Sequence, residues 1–345
     1  WAAAASGEHP EAAACTSDLA YICHVLGDYE EAETLQRRAL AARVTSLGLE
    51  HTDTLTNKRD LAYLLEVRGE ATEAERLYHE ALAGFASAFG EDHDETRQLA
   101  SCCAHLLLRR RAFTEAEAHF LRALPPVALA AFATGSKTGS NISSPPNVAA
   151  MGMDTDGNAA VAACGRPTLS ASVLACMHEL ARAIRAQGRL QEAVSLYRLV
   201  LQQMKASIGE EHPDSNAVAE GLAGALLESE NFREAEALYR QVMKVKEISL
   251  GIDHISTLAT INNVALLFQA QGRLVEAEAL YRQSLKNATK TCGALHPVVL
   301  TAMVNLAASL GARGEVEEAE ALYRHVLASR EKALGADHMD TIKAV

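Results

Sequence analysis

A chain of 345 residues with 49% hydrophobic content can fill two or three compact cores, and 5% aromatics with eight prolines favour an all-α fold packed through small side chains. A net charge of −12, with no long run of Lys or Arg, excludes nucleic acid as a partner, and no apolar run approaches the roughly 20 residues that a membrane span requires. Seven cysteines, an odd number with no CxxC pair, read as reduced thiols in a cytoplasmic protein, Cys102 and Cys103 packing rather than reacting.

The elements follow a repeat. Residues 47–55, LGLEHTDTL, return as FGEDHDETR, IGEEHPDSN, LGIDHISTL, CGALHPVVL and LGADHMDTI. His9, His51, His93, His212, His254, His296 and His338 are spaced by 42 residues except from His93 to His212, where 119 residues intervene. That gap is two periods plus 35 residues, with Ser170 standing where a histidine is due. Glu-Ala pairs at Glu31, Glu73, Glu115, Glu192, Glu234, Glu276 and Glu318 show the same period and the same excess. Twelve residues before each of those alanines lies another: Ala20, Ala62, Ala104, Ala181, Ala223, Ala265 and Ala307. Apolar neighbours three and four residues apart mark one helix face, and Gly27, Gly69, Gly188, Gly272 or Gly314 separates two such helices. Each repeat is thus helix, tight turn, helix.

In chain order, residues 1–124 read as three helix pairs. Residues 125–168, opening on Pro125-Pro126 and rich in Gly, Ser and Asn, read as a disordered insert. Within it DTDGNA lacks the glutamate of a calcium loop, Gly165 standing in its place. Residues 169–333 hold four more pairs, and 334–345 begin an eighth, so that the chain reads as an excerpt of a longer product.

The recurring histidines are not expected to be ligands or catalysts. Stacked helices lie about 10 Å apart, whereas zinc ligands sit near 2 Å from one ion, so equivalent histidines cannot share a metal. They read as the start of the next helix, with Pro213 or Pro297 at its first position and Asp53 or Asp214 favoured by its N-terminus. His178 with Glu179 and Arg182 is the nearest approach to a catalytic set, but neighbours on a helix point about 100° apart. No catalytic residue, metal or cofactor is expected.

The alanine, the glycine turn and phrases such as NNVALLFQAQGRLVEAEALYRQSL resemble the tetratricopeptide repeat, and the 42-residue period with the LGxxHPDT link is similar to its kinesin light chain-like form. The resemblance implies a right-handed superhelical solenoid whose first helices line a concave groove that binds peptides. At the groove position commonly asparagine in kinesin light chains stand Asn263 and Asn305, with Asn262 adjoining and Asp60 at the same place in an earlier repeat. Tyr63 projects toward the groove, as do Arg182 and Arg185, its one basic cluster. The expected function is a noncatalytic scaffold for peptide segments of other proteins, a motor heavy chain or cargo adaptor among them. The rival is the sensor or docking arm of a larger signalling enzyme or nucleotide switch.

Overall fold

A computed structural model describes residues 10–136 and 169–334, and every regular element among them is an α-helix. Six helices form the first three pairs: α1 (Pro10–Leu26) with α2 (Tyr29–Leu47), α3 (Thr52–Arg68) with α4 (Ala71–Phe89), and α5 (Asp94–Arg109) with α6 (Phe113–Ala123). After α7 (Pro126–Ser136) come α8 (Ala171–Ala186), α9 (Leu190–Ser207), α10 (Pro213–Glu228) and α11 (Phe232–Ser249). Then follow α12 (Ile255–Ala270), α13 (Leu274–Cys292), α14 (Pro297–Arg313) and α15 (Val316–Leu334). The chain forms two compact units, one through Arg189 and one from Leu190.

The histidines start helices. Nδ1 of His51, His93, His212, His254 and His296 accepts the backbone N–H two residues on, at 3.1–3.3 Å. This satisfies one of the donors that every helix N-terminus leaves open. At the position without histidine, Ser170 caps α8 instead, its Oγ accepting from the Val173 N–H at 3.4 Å. His9 and His338 lie outside the described residues. A hydroxyl adds a second clamp: Thr96, Ser215 and Thr257 donate to the carbonyls of Gly90, Gly209 and Gly251 at 2.7–2.9 Å.

Helices end on a left-handed residue. Gly69 (φ 90°, ψ 7°) and Gly314 (φ 89°, ψ 8°) close α3 and α14. The two repeats that lack this glycine keep the turn, with Arg111 (φ 63°) and Glu230 (φ 61°) in the same region. For a side chain with Cβ that conformation costs about 1–2 kcal/mol.

The two alanine lines form the seams. Ala20, Ala62, Ala104, Ala181, Ala223, Ala265 and Ala307 are all at most 1% exposed, and the Glu-Ala alanines are equally buried except Ala319 at 5%. Four residues beyond, Tyr78, Phe120, Tyr197 and Tyr281 fill the space beside them, and Gln36 takes that place in the first repeat, accepting from the Asn57 amide. Cys103 and Cys102 both pack against the core around Tyr78, and burial pushes the Cys103 thiol up to about 12.

The insert departs from the expected disorder over its first residues, because 126–136 are helical. Pro126 occupies the first turn, where its missing N–H is harmless, and an alanine-rich run follows. Before it Leu124 is forced out of the helix (ψ 136°) by Pro125, which is why α6 stops after 11 residues where α4 has 19. The rest of the insert, 137–168, and the eighth-repeat start beyond Leu334 lie outside the described residues.

The unit boundary also differs from a division at the insert. Within the first unit α8 packs on α6. Cys176 Sγ lies 3.9 Å from the Phe120 carbonyl, and Arg189 Nη1 is 2.7 Å from Glu117. The fourth first-helix thus stacks on the third pair despite the intervening segment.

Candidate functional site

The first helix of a pair buries two sides and leaves a third uncovered. On α12 the buried sides are formed by Thr257, Leu258, Ile261, Val264, Ala265 and Leu267, and Asn263 remains half-buried at the surface. On α14, which packs against α12, Asn305 holds the equivalent place. Neither side-chain amide has a hydrogen-bond partner among the described residues. Two unused amides, each able to donate and accept, therefore sit one repeat apart.

Asn262 is corrected by the structure. It is 4% exposed, and its Oδ1 is buried without a partner, so it is an interior amide rather than a third surface one. It shares this state with other buried polar atoms among the described residues, Asn57 Oδ1 and Ser309 Oγ among them. Beside these helices the equivalent of Asn262 on α10 is Glu220, which Lys246 neutralises at 2.9 Å while also donating to Thr260 Oγ1 at 3.1 Å. The sequence reading did not single out Lys246. The same repeat position holds Arg43, Phe85, Met204, Ala288 and Arg330 elsewhere, so the sequence pattern does not single the lysine out.

The equivalent place on α10 is Gly221, and sterics explain the absence of an amide there. A Cβ at Gly221 would meet Tyr197 Cε1 at 2.6 Å, so the buried tyrosine ring excludes any side chain.

The remaining predicted residues belong to the first unit, and the asparagines belong to the second. Asp60 accepts from Arg59 Nε at 3.1 Å. Tyr63 is 52% exposed, and its ring stands edge-on to His24 with centroids 5.6 Å apart. On α8 Arg182 is paired with Glu179 at 2.7 Å, and Arg185 is also engaged, so neither arginine of the expected basic cluster is free. Asp60 and Tyr63 lie on α3, with the α5–α6 pair intervening in the chain before α8.

Among the described residues no group of three or more His, Cys, Asp or Glu side chains is arranged to hold a metal, and no helix is long and apolar enough to cross a membrane. His79 and His119 do meet, at 5.2 Å between centroids, and burial, aided by the His79 and Arg122 charges, holds His119 below the usual histidine range.

The EAEALYR phrase, used above only as a landmark, proves to be a register device. Its arginine reaches the first glutamate of the next repeat: Arg37 to Glu73, Arg198 to Glu234 and Arg282 to Glu318, at 2.7–3.0 Å. Its second glutamate receives a side chain from the end of the next first helix, as in Arg68 to Glu33, Arg313 to Glu278, and Gln271 to Glu236 at 3.1 Å.

Comparison with known proteins matches the tetratricopeptide repeat family to residues 12–53 and 54–95, and to the overlapping spans 173–248, 214–290 and 256–332. No curated protein matches the chain. Among solved structures, a Podosopora anserina protein described as a kinesin light chain with nearly identical TPR-like repeats is 24% identical, covering 82% of this chain and 97% of its own, at a TM-score of 0.42. A tetratricopeptide repeat protein of Parabacteroides merdae is 12% identical over 96% of each chain, at a TM-score of 0.63. NprR in complex with its cognate peptide NprX is 12% identical, covering 95% of this chain and 80% of its own, at a TM-score of 0.55.

Proposed function

The chain belongs to the tetratricopeptide repeat family, and from that premise we propose that it is a noncatalytic cytoplasmic scaffold whose first-helix face captures extended peptide segments of other proteins. The observation that carries this reading is the pair of unpartnered amides, Asn263 and Asn305, on adjoining first helices. Packed helices are about 10 Å apart, close to three residues of extended chain at about 3.3 Å each. A bound strand therefore meets one amide per repeat, and each amide holds a backbone N–H and C=O at once. Lys246 supports the same reading, because it removes the Glu220 charge that would otherwise repel peptide carbonyls. NprR, a protein of this fold, holds a peptide. A motor heavy chain or a cargo adaptor is the partner class we infer from the kinesin light chain-like repeat.

A peptide array, followed by titration of the best hit, tests this. Each groove hydrogen bond is worth about 0.5–1.5 kcal/mol, so Asn263→Ala with Asn305→Ala is expected to weaken binding roughly tenfold while the melting temperature stays within a few degrees. Equal affinity for wild type and double variant, with the fold intact, would move the peptide site off this face.

A further inference from the structure

The second helices of the last two repeats carry a surface that the peptide reading does not use. Between α13 and α15 lies an open trough of about 560 Å³, floored by Leu285, Leu306 and Leu322. One edge is basic: Arg282, Lys286 and Lys290 recur every four residues along α13, a line about 12 Å long. Arg282 is committed to Glu278 at 2.9 Å and Glu318 at 3.0 Å. Lys286 and Lys290 are exposed and have no ion pair or hydrogen bond among the described residues.

Several features say what belongs there. In a chain of net charge −12, two adjacent uncompensated lysines beside an apolar floor are an exception. Like charges four residues apart on a helix repel by a few tenths of a kcal/mol, and an anionic ligand removes that repulsion. One repeat earlier the positions of Thr289 and Lys290 are taken by Glu247 and Ile248, so the second lysine does not recur.

We propose that this trough docks an acidic amphipathic helix of a partner protein, with two carboxylates one turn apart on Lys286 and Lys290 and the intervening leucine-like side chain on the partly exposed Leu285 and Leu322, beneath which Leu306 is buried. Side chains four apart on the incoming helix are about 6 Å from each other, which matches the lysine step. The two lysines lie on a second helix and Asn263 and Asn305 on first helices, so the proposal stands whether or not peptides bind at the asparagines.

The probe is a fluorescein-labelled helical peptide carrying Glu at i and i+4 with Leu between them on the same face, beside one control with Lys for Glu and another with Ala for Leu. Binding to the whole chain is followed by anisotropy. The acidic leucine peptide is expected to bind, to weaken with salt, and to lose at least about tenfold in affinity on Lys286→Glu with Lys290→Glu. That reversed variant should instead take up the Lys-for-Glu control, and Asn263→Ala with Asn305→Ala should change nothing. If the reversal lowers the melting temperature, Lys286→Gln with Lys290→Gln is read in its place. The proposal is overturned by no binding at millimolar peptide, by equal affinity for wild type and charge variants, or by an Ala-for-Leu control that binds as well as the leucine peptide. Loss on the asparagine variant alone would also overturn it, placing the peptide on the first-helix face.

Discussion

A single histidine shows how much residue type understates role. His254 has the chemistry of a base or a ligand, yet its Nδ1 is spent on the Ser256 N–H at 3.1 Å, and four other histidines repeat the arrangement. The work is that of a helix cap, which Ser170 performs two repeats earlier in the chain. His254→Ala is therefore expected to cost about 1 kcal/mol in urea unfolding, and His254→Asn to recover most of it. A loss several times larger, or no recovery with asparagine, would mean that the ring does something besides capping. Glycine positions teach the reverse lesson. Arg111 and Glu230 accept a left-handed backbone because the turn between paired helices is imposed by packing on both sides, whatever residue occupies it.

Between elements, apolar seams set the distance and ion pairs set the register. Alanine at both seam positions lets the helices approach, a contact that is non-directional and would tolerate sliding. The Arg37–Glu73 type of pair is directional and recurs at a fixed offset of 36 residues, so it favours one alignment of neighbouring second helices. Each such exposed pair contributes only about 0–1 kcal/mol, and its signature is acid sensitivity rather than bulk stability. The Arg37 hydrogen bond holds Glu73 below its ordinary value of 4.5. At Glu80 desolvation pushes upward, but hydrogen bonds and charge from Lys58 and Arg76 outweigh it and the net shift is also downward. A carboxylate depressed in the folded state stabilises fully above its unfolded value, and that stability is lost as pH falls through the folded one. Melting temperature should therefore hold down to about pH 5 and then fall, and Arg37→Gln with Lys58→Met should make the acid limb shallower. An unchanged acid limb would show that these pairs do not contribute.

For the whole chain, the packing of α8 on α6 makes a test of how the insert is carried. The Gln187 side chain donates to the Phe113 carbonyl at 3.2 Å and Arg189 pairs with Glu117, so the first unit includes residues from both sides of 137–168. A protease site placed within 137–168 and cut under native conditions should leave two fragments that co-elute from a sizing column. Fragments that separate without denaturant would show that α8 does not hold to α6. Helix pairs, their number, the buried alanines and the capping positions were legible in the sequence, because each repeats a local pattern whose physics is complete within about 42 residues. Asn263 and Asn305 were singled out by the resemblance to kinesin light chain repeats, and their part in peptide capture is a proposal. What no local pattern contains is the partner across a seam. Only the tertiary structure decided that Asn262 turns inward, that Lys246 neutralises Glu220, that Tyr197 leaves room for nothing but glycine at 221, and that the units part at Arg189 rather than at the insert. Each depends on which side chain of another helix arrives at that point, and long-range packing, not propensity, determines that.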